Sequence, residues 1–226
     1  MLLRIKPGTS LDNNINRMII RLTAQSLSGG GVAILPTSTI FGLSCVYNNK
    51  TSLKRIYEIK RRPASNPFIV IISGIDCLGL LIAEKTGAAK ILIDHYWLSE
   101  NPQPLTMVFK KNNGIGSYIT SGSDNIAIRL DPLPVLQKII SICGPVVSTS
   151  AAISGTNIAP VNVSEMPEEI KTHADIIIDP GFDLGGTAST VLDVTGDDPV
   201  IIREGKVTGN AIKKVLGMKN RKNTGG

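Results

Sequence analysis

Residues 57–72 read Tyr57-Glu58-Ile59-Lys60-Arg61-Arg62-Pro63-Ala64-Ser65-Asn66-Pro67-Phe68-Ile69-Val70-Ile71-Ile72. The first part completes a helical pattern over 51–61 that carries Leu53, Ile56 and Tyr57. Three consecutive cations follow, then a proline that stops the helix, then an apolar run that fits a buried strand. Helices alternating with buried strands in this way make an α/β fold. Cations at a helix C-terminus are explained by the macrodipole alone. Their place just ahead of a buried strand adds a second reading, because open α/β sheets bind ligands at strand edges.

The alternation continues in both directions. Upstream, 10–28 form an amphipathic helix with Ser10 as N-cap and Ile15, Ile19 and Leu22 at helical spacing. Gly29-Gly30-Gly31 ends it, and 32–35 make a buried strand that Pro36 punctuates. Downstream, 76–98 are mostly helical, with a break near Lys85-Thr86-Gly87. Short strands are expected at 105–109, 126–130, 146–148 and 174–178, with a helix at 133–143. Residues 190–194 and 200–203 read as neighbouring strands joined by a Gly196-Asp197-Asp198-Pro199 turn, and 208–216 as a last helix. The expected architecture is a single α/β domain over 1–218, a twisted mixed parallel and antiparallel sheet with flanking helices, followed by a polar tail at 219–226.

The chain has 226 residues, 42% hydrophobic and 19% charged, enough for one substantial core and too apolar for disorder. Cys45, Cys77 and Cys143 are odd in number and far apart, so they suit neither a disulfide framework nor a metal site. A reduced, cytoplasmic setting is expected. The start does not resemble a secretory signal, and no apolar stretch is long enough to cross a membrane. The net charge of +6 permits nucleotide or nucleic-acid binding, and a solvated basic surface explains it equally well. Neither common glycine-rich nucleotide fingerprint is present. The two histidines, His95 and His173, lie outside the motifs and read as surface residues, which leaves no catalytic triad to argue.

Three further stretches pair an apolar run with hydroxyls or fixed cations: Pro36-Thr37-Ser38-Thr39-Ile40-Phe41-Gly42-Leu43, then 144–155 with Ser148-Thr149-Ser150, and 189–205 from Ser189-Thr190-Val191 to Arg203-Glu204-Gly205. The order and spacing of all four stretches resemble the YrdC/Sua5 family of threonylcarbamoyl-AMP synthases over about residues 10–217. That resemblance implies condensation of L-threonine, bicarbonate and ATP into L-threonylcarbamoyladenylate with release of pyrophosphate, for the t6A modification of tRNA. It implies Mg²⁺ arriving with ATP, and a downstream threonylcarbamoyl transferase complex as partner. It also implies a basic concave surface on which tRNA or double-stranded RNA could bind. By the same resemblance, Arg62, Asn66, Ser150 and Arg203 hold ATP. Thr39, Lys60, Arg129, Ser148 and Ser189 hold threonine, and Lys60 and Arg62 are the catalytic cations.

The chain departs from the family pattern at several places. Ser38 replaces an acidic residue, which alters the charge near the substrate's ammonium, and Phe41 replaces a tyrosine. Ala152 replaces an asparagine that belongs to the family's recognition set, with Asn157 as a neighbour able to compensate. Glu204 replaces a proline, which predicts a less rigid loop. Trp97 and Pro104-Leu105-Thr106 preserve parts of a family segment around an insertion, and Trp97 reads as core. Ser38 and Ala152 motivate one alternative, a non-catalytic paralogue that binds RNA or a nucleotide. A carbamoyl-adenylate enzyme related to hydrogenase maturation is a more distant one.

Overall fold

The computed structural model describes residues 1–61, 66–153 and 159–217. In chain order its elements are β1 (Leu2–Arg4), α1 (Asn14–Ser28), β2 (Ala33–Leu35), β3 (Gly42–Val46), α2 (Lys50–Lys60), β4 (Ile69–Ile72), α3 (Leu78–Leu81), α4 (Gly87–Leu92), β5 (Leu105–Lys110), α5 (Ser117–Thr120), β6 (Asn125–Leu130), α6 (Pro134–Cys143), β7 (Val146–Ser150), α7 (Glu168–His173), β8 (Ile176–Asp179), β9 (Thr190–Asp193), β10 (Val200–Arg203) and α8 (Gly209–Val215). The strands form one sheet in the order β1-β8-β2-β3-β7-β4-β6-β5-β9-β10. Pairs β1/β8, β2/β8, β4/β6 and β5/β9 are parallel, and the other pairs are antiparallel. This is the mixed sheet expected from the sequence.

The pleat sends alternate residues of a strand to opposite faces, and each face carries its own core. Ile34, Val70, Ile72, Met107 and Ile128 point into a core closed by α2, α3, α4, α5, α7 and α8. Ala33, Leu35, Ile71 and Val146 point the other way, under Ile19, Ile20 and Leu27 of α1 and Leu136, Ile139 and Ile140 of α6. Trp97 belongs to the first core, where its indole N–H donates to the Leu105 carbonyl at 2.8 Å.

Three details differ from the sequence reading. Helix α1 begins after Asn13, not Ser10, because the Asn13 side chain accepts from the Asn16 N–H at 2.9 Å, the bond that defines an N-cap. Ser10 instead closes a turn by accepting from the Asp12 N–H. Strands β1 and β3 were not anticipated. Gly42 and Ser44 interrupt the apolar pattern of β3, and its register against β2 and β7 supplies what propensity does not. The stretch 76–98 breaks into α3, α4 and a π-helical turn at Ile93–Trp97. The expected polar tail lies outside the described residues. Among the described residues, no helix is long and apolar enough to cross a membrane.

Candidate active site

Sheet register lays the floor of a cavity. On the face that α1 and α6 partly cover, one row of partnered residues runs Ile71–Arg129–Thr106–Val191 across β4, β6, β5 and β9. The next row runs Ser44–Ser148–Ile69–Ala127–Val108–Asp193. The core under α1 and α6 reaches Ile71 and takes in no β5, β6 or β9 residue among those described. Beyond it the floor is open, and the space above it is a cavity of about 460 Å³. That size suits a small-molecule site.

Arg129 stands at the middle of the first row and is only 5% exposed. Its Nη1 donates to Thr39 Oγ1 at 3.1 Å, and its Nη2 lies 3.0 Å from Asp131 Oδ2. Its Nε–H is buried with no partner among the described residues. Burial pushes the guanidinium below its ordinary pKa, and the Asp131 charge opposes that shift. Thr39 is delivered by the turn that follows β2. There Thr37 Oγ1 accepts from the Thr39 and Ile40 N–H groups at 3.1 and 3.2 Å and lies 2.8 Å from Thr39 Oγ1.

Asp131 is fully buried and answers the turn as well. Its carboxylate accepts from the Ser38 N–H and the Ser38 hydroxyl, both at 3.0 Å. The sequence reading missed this residue. The signal was present, since residues two apart in extended chain share a face, which places Asp131 beside Arg129.

Ser189 closes the far side. Its hydroxyl lies 2.8 Å from Thr106 Oγ1, and its carbonyl accepts from Arg203 Nη2 at 2.8 Å. Arg203 is pushed below its ordinary pKa by burial and by the Arg129 charge. Two guanidiniums that disfavour each other make a place where an anion is stabilised. The loop after Arg203 is pinned: Glu204 accepts from the Gly209 N–H at the start of α8, at 2.7 Å. A Cβ at Gly205 would sit 2.3 Å from the Ala188 carbonyl oxygen, so only glycine fits there. In the place of the missing proline, a carboxylate tether and close backbone packing hold this loop.

On the near side, Ser148 accepts from Ser44 Oγ at 3.0 Å, and it lies against Gly42, where a Cβ would fall 2.1 Å from Ser148 Oγ. Lys60 is the last residue of α2 and is 2% exposed. Its ammonium donates to the carbonyls of Ser150 and Ala152, the latter at 2.8 Å, and to Ser150 Oγ at 3.1 Å. Arg61 caps the helix in the left-handed region at φ 47°, and its side chain leaves the site to pair with Glu169 at 2.8 Å.

Of the residues assigned from the sequence, Thr39, Arg129, Ser148, Ser150, Ser189 and Arg203 line this one cavity. Lys60 lies behind Ser150 and is bonded to it. Asn66 is exposed beside Pro67, which is at the rim, and its carbonyl accepts from the Tyr57 hydroxyl at 3.5 Å. Arg62, Ser154, Gly155 and Asn157 lie outside the described residues, so the compensation expected from Asn157 does too. His95 and His173 are exposed and away from the cavity. The cysteines are free thiols. Burial pushes Cys45 up to about 12 and Cys143 up to about 11, far from the thiolate that reactivity needs. Among the described residues, no group of three or more His, Cys, Asp or Glu could hold a metal ion.

The Sua5/YciO/YrdC family model, described as "Telomere recombination", matches residues 25–205. The chain belongs to that family. It is 34% identical over 199 residues to the threonylcarbamoyl-AMP synthase of Pyrococcus abyssi, a match that covers 88% of this chain and 57% of that protein. The chain thus spans little more than half the length of that curated relative. The structure of Pyrococcus abyssi Sua5 complexed with L-threonine superposes with a TM-score of 0.86 at 31% identity, covering 96% of this chain and 61% of that one. Escherichia coli YciO shares the fold over 94% of this chain and 98% of its own, with a TM-score of 0.80 at 23% identity.

Proposed function

We propose that this chain is a threonylcarbamoyl-AMP synthase, forming L-threonylcarbamoyladenylate and pyrophosphate from L-threonine, bicarbonate and ATP for tRNA t6A biosynthesis. The observation that carries the reading is the wall of Thr39, Arg129 and Ser189: a buried guanidinium whose Nε–H has no partner among the described residues, bonded to the Thr39 hydroxyl and sharing its cavity with Ser189. That set suits the carboxylate and hydroxyl of a small amino acid. The relative solved with L-threonine supports the choice of substrate.

In this scheme the threonine amine captures bicarbonate and loses water, giving an N-carboxylated threonine. The new carboxylate attacks the α-phosphorus of ATP, and pyrophosphate departs. Thr39, Arg129, Ser148 and Ser189 hold threonine, and Lys60 stands between the two substrates. Arg62, Asn66, Ser150 and Arg203 hold ATP. The cations lower the barrier by meeting charge that develops on the phosphates, and the site works chiefly by positioning. The ammonium proton that threonine sheds before this step passes to water or to the substrate itself, and the carboxylate that attacks is already ionised, so the scheme needs no histidine base. Asp193 is the one carboxylate lining the cavity among the described residues. Mg²⁺ therefore fits as an ion that enters with ATP, held by phosphates and water. The net charge of +6 supports contact of tRNA or double-stranded RNA with the concave face, and a cytoplasmic setting with hand-over to a threonylcarbamoyl transferase complex completes the proposal.

The test is pyrophosphate release with ATP, Mg²⁺ and bicarbonate, with and without L-threonine, and the nucleotide product weighed by mass spectrometry. Threonine- and bicarbonate-dependent release of a threonylcarbamoyl-AMP mass is expected, which would also establish that Ala152 is tolerated. Folded protein that binds ATP or RNA without turnover would replace this reading with the non-catalytic paralogue.

A further inference from the structure

We propose that Asp131 is a positioning residue for amino-acid recognition, and that positions 38 and 131 share one carboxylate between them. The inference rests on the threonine reading of the Arg129 wall. Position 38 carries serine where the motif of the resembling family carries an acid. In this chain a carboxylate from the end of β6 is hydrogen-bonded to the backbone and side chain of Ser38.

The geometry is closed on every side. One oxygen of Asp131 accepts from the Ser38 N–H at 3.0 Å and the Leu133 N–H at 3.1 Å. The other accepts from the Ser38 hydroxyl and meets Arg129 Nη2, each at 3.0 Å. Asp131 is 0% exposed, so it reaches no substrate directly. It acts through two neighbours. It fixes the guanidinium plane from the Nη2 side while Thr39 holds Nη1, and it ties down the turn that presents Thr39. The ligand then meets an ordered donor and does not have to order one, which is the economy of preorganisation. The carboxylate also offsets the charge of buried Arg129, so that it does not face the Arg203 guanidinium unrelieved.

A specific pattern follows. Asp131→Ser removes the carboxylate and leaves Arg129 loosely held. Ser38→Asp alone sets two carboxylates against one guanidinium, which forces one of them to take a proton or move. Combining them returns a single carboxylate to the junction from the turn that follows β2. Each single change is therefore harmful and the pair is not, the signature of direct coupling.

The experiment uses the full chain and two readouts: L-threonine titration by calorimetry, and the NMR signals of the Arg129 guanidinium without ligand. Each single variant is expected to weaken threonine binding about tenfold or more, with the double variant within about threefold of the native chain. The separate Nη signals of Arg129 should be resolved in the native and double forms and merged in Asp131→Ser, where the group rotates freely. Additive losses in the double variant, or Nη signals indifferent to Asp131, overturn the proposal. Should Asp131→Ser fail to fold, Ser38→Ala keeps every charge and removes one bond to Asp131. Its expected loss is about threefold with broadened Nη signals, and no change in either sinks the idea. A native chain that does not bind threonine defeats the substrate reading, while the ligand-free spectra still decide the role of Asp131.

Discussion

The two walls of the cavity hold their cations by different means. On the Arg129 wall a guanidinium is tied to a buried carboxylate and a threonine hydroxyl, and the carboxylate is tied in turn to the backbone of a turn. On the Lys60 wall an ammonium is seated by carbonyls and a hydroxyl at the end of β7. The first wall is a charge network in which each member sets the others. The second is a backbone cradle that depends on where 150–152 run, and it does not use the side chain at position 152. Loss of the family's asparagine there leaves the seat of Lys60 in place, while a change at Arg129 or Asp131 spreads across its wall.

The most damaging way to test that contrast is Arg129→Ala. It strands a buried carboxylate, and breaking a buried ion pair from one side costs about 3–5 kcal/mol. A fall in the denaturant midpoint together with loss of L-threonine binding is expected. Stability close to native would show that the network is not coupled as described. Lys60→Met comes next. Methionine keeps most of the packing, so the stability loss should be smaller, about 1–3 kcal/mol for unpaired carbonyls. Pyrophosphate release should drop by about 10²–10³, the scale seen for a lost electrostatic donor. Threonine affinity should fall far less than in Arg129→Ala. Equal losses of affinity in both variants would erase the distinction between the walls.

Legibility in the sequence followed the same divide. The strands that are buried on both faces, such as 32–35 and 68–72, announce themselves as apolar runs, and the helices by their spacing. Strand β3 stayed hidden because Gly42 and Ser44 point toward the polar cavity side, where a hydrophobic pattern has nothing to report. The cavity residues were placed by motif resemblance and not by periodicity, and they converge because register aligns residues from strands far apart in sequence. Asp131 escaped because no motif contained it. Its spacing from Arg129 was the one sequence signal, and its bonds to the 37–39 turn, over ninety residues away, form only when that turn folds onto it.

A third change probes how the Arg203 side is held. In Gly205→Ala the new methyl meets the Ala188 carbonyl, an obstacle of backbone that cannot rotate away. A cost of about 1–3 kcal/mol is expected from such overpacking. Arg203 and Ser189 should shift together, weakening ATP and threonine alike. A native-like melting curve with unchanged binding would mean that the loop adjusts freely and that the Glu204 tether carries the order alone.

The smallest effect lies outside both walls and serves as their control. Asp175 accepts from Arg55 at 3.0 and 3.2 Å and from the Val32 N–H at 2.7 Å. Burial alone would raise its carboxyl, but these partners outweigh it and hold it below the usual carboxylate value. A carboxylate depressed on folding contributes stability that is complete above its unfolded value of about 3.9 and is lost as pH falls through the folded value. Arg55→Gln weakens that contribution, so the acid-unfolding midpoint should move to higher pH. Arg55 and Asp175 are 40% and 42% exposed, so screening limits the difference to under about 1 kcal/mol, and added salt should shrink it further. L-Threonine affinity at neutral pH should stay native. If this surface change weakened threonine binding as much as the Asp131 variants do, the loss there would reflect general destabilisation, and the cavity walls would lose their claim to a separate role.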